Sequence, residues 1–372
     1  MPSAPHTPRR FPLAWTLAVA YLLTVVYASG QPFRGWRMPS EEVLHFLTAP
    51  WPRYITLDDL LLNIGAYVPL GFLLSLALRP RLRAHRAVLA GMTLGIAISV
   101  AMEYMQTLLP GRISSNVDVL TNGIGALLGA LSAPLFAPTR QLGQRLLDLR
   151  TRWFRPGMAV DAGLVLVCLW LLTGLHPTAQ LFGTGDVRTT FELPVWFLHK
   201  PHISVAAEAA VVALNLLGVG LLIAGIAQPR AGVARLVFVA VAGALAIKAG
   251  TAAGLKSASH WSWLTPGVSL GLVLGAILLY GAARLPLRTR ALCGAASILL
   301  AVAVINIAPG NPYQTLPPQF LVGSASHFLS YSGIARALSE IWPLLAVLYL
   351  LAGARSHRSY TGTATARALD RL

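Results

Sequence analysis

The carboxylates placed to do chemistry in this chain are Asp59, Glu103 and Asp118, all between Thr56 and Gly129. Asp59 and Asp118 sit in matching headers, Thr56-x-x-Asp59-x-x-x-Asn63 and Ser115-x-x-Asp118-x-x-x-Asn122, each at the start of an apolar run. On a helix the i, i+3, i+7 spacing puts the polar groups of each header on one face. Glu103 and Gln106 lie near the far end of the apolar run in between, and Arg112 follows it. A guanidinium grips phosphate or carboxylate through two parallel hydrogen bonds. Carboxylates accept from hydroxyl and amine groups or move protons. Asp59, Asn63, Glu103, Gln106, Arg112, Ser115, Asp118 and Asn122 therefore form the candidate ligand-binding set, with no residue assigned a catalytic role.

Three consecutive membrane crossings would bring these groups together. The starts of the first and third and the end of the second then share one side. Away from the headers, each face turns small: Tyr67, Gly71 and Ser75 in the first; Gly91, Gly95 and Ser99 before Glu103 in the second; Gly125 and Gly129 in the third. Small residues at every fourth position let helix backbones approach closely in lipid. The expectation is tightly packed inner ends and a polar pocket at the outer ends.

Each of these residues also has a plainer reading. Thr56-x-x-Asp59 and Ser115-x-x-Asp118 both fit the capping box of a helix start, where the dipole favours an acid. Asn63 and Asn122 suit hydrogen bonding between helices. Arg112 either binds an anion or neutralises Glu103 and Asp118. Glu103 resists a structural account, because the carboxyl end of its own helix disfavours an anion and a carboxylate at that depth marks function by default. Its expected partner is Arg112 or Gln106. Lys248 is a second buried-charge candidate whose stem could instead snorkel outward, and Glu208 opens its helix, where an acid needs no special role.

The run Asp58-Asp59…Asn63…Pro69-Leu70-Gly71-Phe72, then Glu103-x-x-Gln106, then Arg112-x-x-Ser115-x-x-Asp118-x-x-x-Asn122-x-x-Gly125-x-x-x-Gly129, resembles the VanZ-like family of membrane proteins, named for a teicoplanin-resistance accessory protein. The resemblance covers the first third to two-fifths of the chain, up to about Phe136. It implies a bacterial plasma-membrane protein with a role in the cell envelope, and it raises glycopeptide resistance as a context.

Composition agrees with a membrane chain. Of 372 residues, 55% are hydrophobic and 11% charged, with mean hydropathy +0.64. Soluble domains carry about 25% charged residues. About 20 mostly apolar residues make a crossing. By that measure ten crossings are expected, near 11–29, 58–78, 87–109, 116–136, 158–175, 204–227, 233–254, 264–283, 290–307 and 335–353. The net charge of +16 would suit nucleic acid, but the arginines gather in alternate short loops, as the positive-inside rule requires. These are Arg9–Arg10, Arg79–Arg86, Arg140–Arg155, Arg230–Arg235, Arg284–Arg290 and the tail from Arg355.

The fold class expected is an all-α, polytopic integral membrane helical bundle of about ten helices with both termini cytoplasmic. The polar pocket then faces outward, away from nucleic acid. Four regions follow: 1–57, the first crossing and an outer aromatic loop; 58–138, a three-helix core; 139–283, a second membrane block; and 284–372, the last two crossings and a basic tail. The second block echoes the layout of the core in its glycines but not its acids. Duplication and the general likeness of glycine-rich membrane helices both explain that. Ser40-Glu41-Glu42 reads as the start of a helix lying on the membrane, and Ala308–Ala335 as an interfacial or re-entrant loop.

No cofactor is expected. Cys168 and Cys293 lie far apart inside apolar runs, and the scattered histidines lack ligand spacing, so no metal is expected either. The partners expected are membrane lipids, with lipid-linked envelope precursors as the sharper version. An envelope-lipid-modifying enzyme, a transporter and a structural partner for other envelope proteins stand as alternatives.

Overall fold

The computed structural model describes residues 12–30, 35–38, 44–52, 55, 57–109, 114–137, 140–175, 180–188, 191, 201–254, 263–309, 335–336 and 338–355. Among them the chain is helical without strands, save one isolated bridge between Phe154 and Ala227. Seven helices are long and apolar enough to cross a membrane: Asp59–Leu78, Ala84–Thr107, Asn116–Phe136, His202–Ile226, Val233–Ala252, Leu287–Ile307 and Leu338–Arg355. The other three expected crossings coincide with shorter apolar helices, Leu13–Tyr27, Met158–Thr173 and Pro266–Ala282. Residues 310–334 of the expected interfacial or re-entrant stretch, with Ser40–Glu42, Thr56 and Arg112, lie outside the described residues.

The chain divides into two compact units, the first built on Met1–Thr151 and the second on Arg152–Ala325 and Tyr331–Leu372. In the first, α1 (Pro12–Gly30) packs on α3 (Leu57–Leu78) and α4 (Ala84–Thr107), and α5 (Asn116–Ser132) packs on both α3 and α4. A one-turn α2 (His45–Thr48) precedes α3, and the start expected for a surface helix at Ser40–Glu42 lies outside the described residues. The 3-10 turn Ala133–Phe136 extends α5. Pro69 inside α3 lacks the N–H that would bond the Gly65 carbonyl, and the next carbonyl along, Ala66, accepts from Tyr21 Oη of α1 at 2.8 Å.

The glycine stripes do what their spacing predicts. A Cβ added at Gly125 or Gly129 of α5 would overlap the carbonyl oxygen of Ile64 or Val68 of α3, and one added at Gly71 would overlap that of Ala126. On α4, a Cβ at Gly95 would lie 2.5 Å from the Ala126 methyl, and one at Gly91 3.0 Å from Ser75. The parallel pair α3/α5 thus meets backbone to backbone. Close backbone approach of this kind drives helix association where lipid tails are as apolar as leucine.

The second unit is arranged around α8 (Pro201–Ile226), whose spanning window is 78% buried. Helices α7 (Met158–Thr173), α9 (Val233–Gly254), α10 (Pro266–Ala282), α11 (Leu287–Ile307) and α12 (Leu338–Arg355) surround it. The parallel pair α8/α10 repeats the crossing of α3/α5. A Cβ at Gly271 would lie 2.6 Å from the Ala209 carbonyl oxygen, and one at Gly275 3.0 Å from that of Ala213. Helix α9 does not take the place of α4, however; it packs against α7 and α8.

Two connections carry structure of their own. Residues 181–185 are buried: Phe182 stacks on Trp170 with ring centroids 4.8 Å apart, while Phe191 is exposed. Positive φ at Phe182 (58°) and Gly185 (83°) folds this segment back among the helices. Beyond it, Arg188 Nη2 pairs with Asp186 Oδ2 at 2.6 Å, which holds the guanidinium above its ordinary range. The second connection, α6 (Gln141–Trp153), is an amphipathic helix rather than a loop. Leu142, Leu146 and Leu149 stand exposed at 43%, 44% and 39% along one stripe, with Arg145, Arg150 and Arg152 on its flanks.

Candidate functional site

Helices α3 and α5 begin where α4 ends, so Asp59, Asn63, Asp118 and Asn122 meet Glu103 at one end of this trio. Ser115, in extended conformation, is the N-cap of α5, and its Oγ accepts from the Val117 N–H at 3.1 Å. A capping box would have the Ser115 N–H bonded to Asp118. Here it donates instead to Glu103 Oε2 of α4 at 2.9 Å, while Ser114 Oγ donates to the Glu103 carbonyl at 2.7 Å. The acid that completes the cap comes from a neighbouring helix.

This contact answers the electrostatic objection to Glu103, which is only 4% exposed. The carboxyl end of α4 disfavours its charge, but the same carboxylate lies at the amino end of α5, where the dipole favours an anion by ~0.3–1 kcal/mol, up to ~2 in partly buried geometry. A hydrogen bond to a charged group adds about 1.5–3 kcal/mol. Asp118, freed from the box, accepts from Asn63 Nδ2 at 2.8 Å and ties α3 to α5.

One turn further in, Asn122 Nδ2 donates to Ser99 Oγ at 3.0 Å. Tyr67 Oη lies beside Ser99 and within electrostatic reach of Glu103, but outside hydrogen-bond geometry. Tyr67 Oη, Asn122 Oδ1 and, deeper, Ser75 Oγ are buried polar atoms without a hydrogen-bond partner among the described residues. Buried polar atoms are nearly always satisfied, so this cluster stands ready to bond further groups. Asp59 and Gln106 are half-buried in the terminal turns of α3 and α4. Tyr67 and Ser99 belong to the site but were absent from the expected set. The signal was present, since Tyr67 follows Asn63 by four and Ser99 precedes Glu103 by four, but the same spacing reads as packing.

The segment before α3 is fastened beside this end. The Arg37 N–H donates to the Leu108 carbonyl at 2.9 Å, Asn116 Nδ2 donates to the Ala49 carbonyl at 2.6 Å, and Phe46 is buried. Among the described residues no three His, Cys, Asp or Glu side chains are close enough to hold a metal. The site offers carboxylates, amides and hydroxyls, which together suit a ligand carrying hydroxyl or amine donors.

Seven helices fit to cross a bilayer among the described residues, with glycine-sealed helix pairs, place the chain with the membrane proteins. Residues 13–137 match the family model described as VanZ/LLP1, so the part of the chain from α1 through the 3-10 turn is VanZ-like, as its motifs indicated. No curated protein and no solved structure matches the chain.

Proposed function

We propose that this is a bacterial plasma-membrane protein of the cell envelope that crosses the bilayer about ten times, with both termini in the cytoplasm. Its polar end faces the extracytoplasmic side and takes the headgroup of an envelope lipid or lipid-linked precursor. The observation that carries the proposal is the convergence of Glu103, Asp118, Asn63 and Asn122 at one helix end, beside Tyr67 and Asn122 oxygens that find no hydrogen-bond partner among the described residues. Asp118 and Asn122 receive hydroxyl or amine groups of the headgroup, and Arg112 takes its phosphate. Glu103 holds the start of α5 through the Ser115 N–H.

Lipid mass spectrometry on the purified full chain tests this. A headgroup-selective lipid should co-purify with the wild type and fall at least ~10-fold in Asp118→Asn and Arg112→Ala, the equivalent of about 1.4 kcal/mol. The proposal is refuted if both variants insert, melt like wild type and carry the same lipids.

A further inference from the structure

The proposed function leaves helix α6 (Gln141–Trp153) without a task. Leu142, Leu146 and Leu149 stand exposed along one stripe of it. Apolar side chains lined up in this way are unfavourable in water and mark a surface that meets something else. Two independent observations say what covers this one.

First, each end of α6 lies where a spanning helix leaves the apolar layer. Its amino end follows the span Asn116–Phe136, and a Cβ added at Gly143 would overlap the Ala137 carbonyl oxygen, so its first turn packs directly on the connection. At its carboxyl end the Trp153 carbonyl accepts from the Gln228 N–H at 2.8 Å, and the Arg155 N–H donates to the Ile226 carbonyl at 3.0 Å. Ile226 is the last residue of the span His202–Ile226. Helix α6 is therefore held at the depth of the headgroups, where its leucines reach acyl chains.

Second, the charge of α6 is cationic, with Arg145, Arg150 and Arg152 against the single carboxylate of Asp148. Arg145 and Arg152 are both exposed and lie two turns apart on the same flank of the leucine stripe. Asp148 lies farther round, toward the polar face. An arginine beside such a stripe lays its stem along apolar surface and keeps its head at the level of the phosphates. Its planar fork matches phosphate through paired hydrogen bonds. A second copy of α6 on the same stripe would instead bring like charges together.

We propose that α6 is a docking surface for anionic phospholipid. The three leucines enter the acyl layer, and Arg145 and Arg152 gather anionic headgroups around the helix. The surface uses none of the residues of the α3–α5 site.

Fluorescence quenching in nanodiscs tests it. The full chain, with Cys168 and Cys293 replaced, carries a fluorophore at position 146 in phosphatidylcholine nanodiscs. These are doped with brominated phosphatidylglycerol or with brominated phosphatidylcholine. Half-quenching should need at least ~10-fold less of the brominated phosphatidylglycerol, since each arginine near an anionic surface is worth about fivefold. Arg145→Gln combined with Arg152→Gln should bring the two lipids to within about twofold of each other. The matching pair of Lys substitutions should keep the preference, and added salt should weaken it. Equal quenching by the two lipids in wild type overturns the proposal, as does a preference that survives the Gln pair. Disulfide formation between copies carrying a cysteine at 146, with no quenching by either lipid, assigns the stripe to a second copy and also overturns it. Arg112→Ala and Asp118→Asn should leave the quenching unchanged, so failure here and failure of the α3–α5 site are read apart.

Discussion

Replacing Glu103 by Gln keeps an acceptor oxygen for the Ser115 N–H but removes the charge at the amino end of α5, whereas Ala removes both. A buried donor left unsatisfied costs about 1–3 kcal/mol. Glu103→Ala should therefore melt well below Glu103→Gln, and equal melting in detergent would show that the contact does not hold α5. A double-mutant cycle on Asn63→Ala and Asp118→Ala should return a coupling of ~0.6–1.7 kcal/mol, the range for side-chain hydrogen bonds between membrane helices. At this scale the sequence was informative about which residues matter and less so about whom they touch. The headers announced Asp59, Asn63, Asp118 and Asn122 through their spacing. That Glu103 supplies the second half of the Ser115 cap depends on how the chain turns between α4 and α5, which periodicity does not encode. Tyr67 and Ser99 were masked by lying in stripes of small residues, where four-residue spacing speaks equally of close packing.

Among elements, the glycine stripes were the most legible feature, because a missing Cβ has one use where a carbonyl lies in its path. Gly129→Ala should destabilise by about 1–3 kcal/mol, as overpacking does, since the new methyl would overlap the Val68 carbonyl. Gly225→Ala in α8, with nothing within 4 Å of the added carbon, should melt at or above wild type; equal loss from both substitutions would dismiss the seam. Helix α6 was harder to see, because a count of arginines registers a cytoplasmic loop and passes over Leu142, Leu146 and Leu149. A helix with that stripe and basic flanks lies in the headgroup layer. A fluorophore at position 146 should be quenched by brominated lipid and one at 144 much less, and equal quenching would remove α6 from the interface. The burial of the turn near Phe182 against Trp170 is a tertiary contact that no spacing in the sequence announces.

For the whole molecule, the arginine-rich connections are the basis of the proposed orientation. With Cys168 and Cys293 replaced, a cysteine at Trp51 should react with an impermeant maleimide on intact cells, and one at His85 or Arg145 only after permeabilisation. The opposite pattern would invert the topology and place the Glu103 cluster in the cytoplasm. The helical character and the apolar helices of bilayer length were readable because such runs leave few alternatives. The arrangement of the second unit was not, since its glycines echo the layout of the core while α9 packs against α7 and α8. What the units do share is the carbonyl-on-glycine crossing of α3 with α5 and of α8 with α10. Two parallel rods locked by their backbones cannot be prised apart without breaking the lock, so each pair moves as a single beam. Any movement among these helices therefore swings each beam whole.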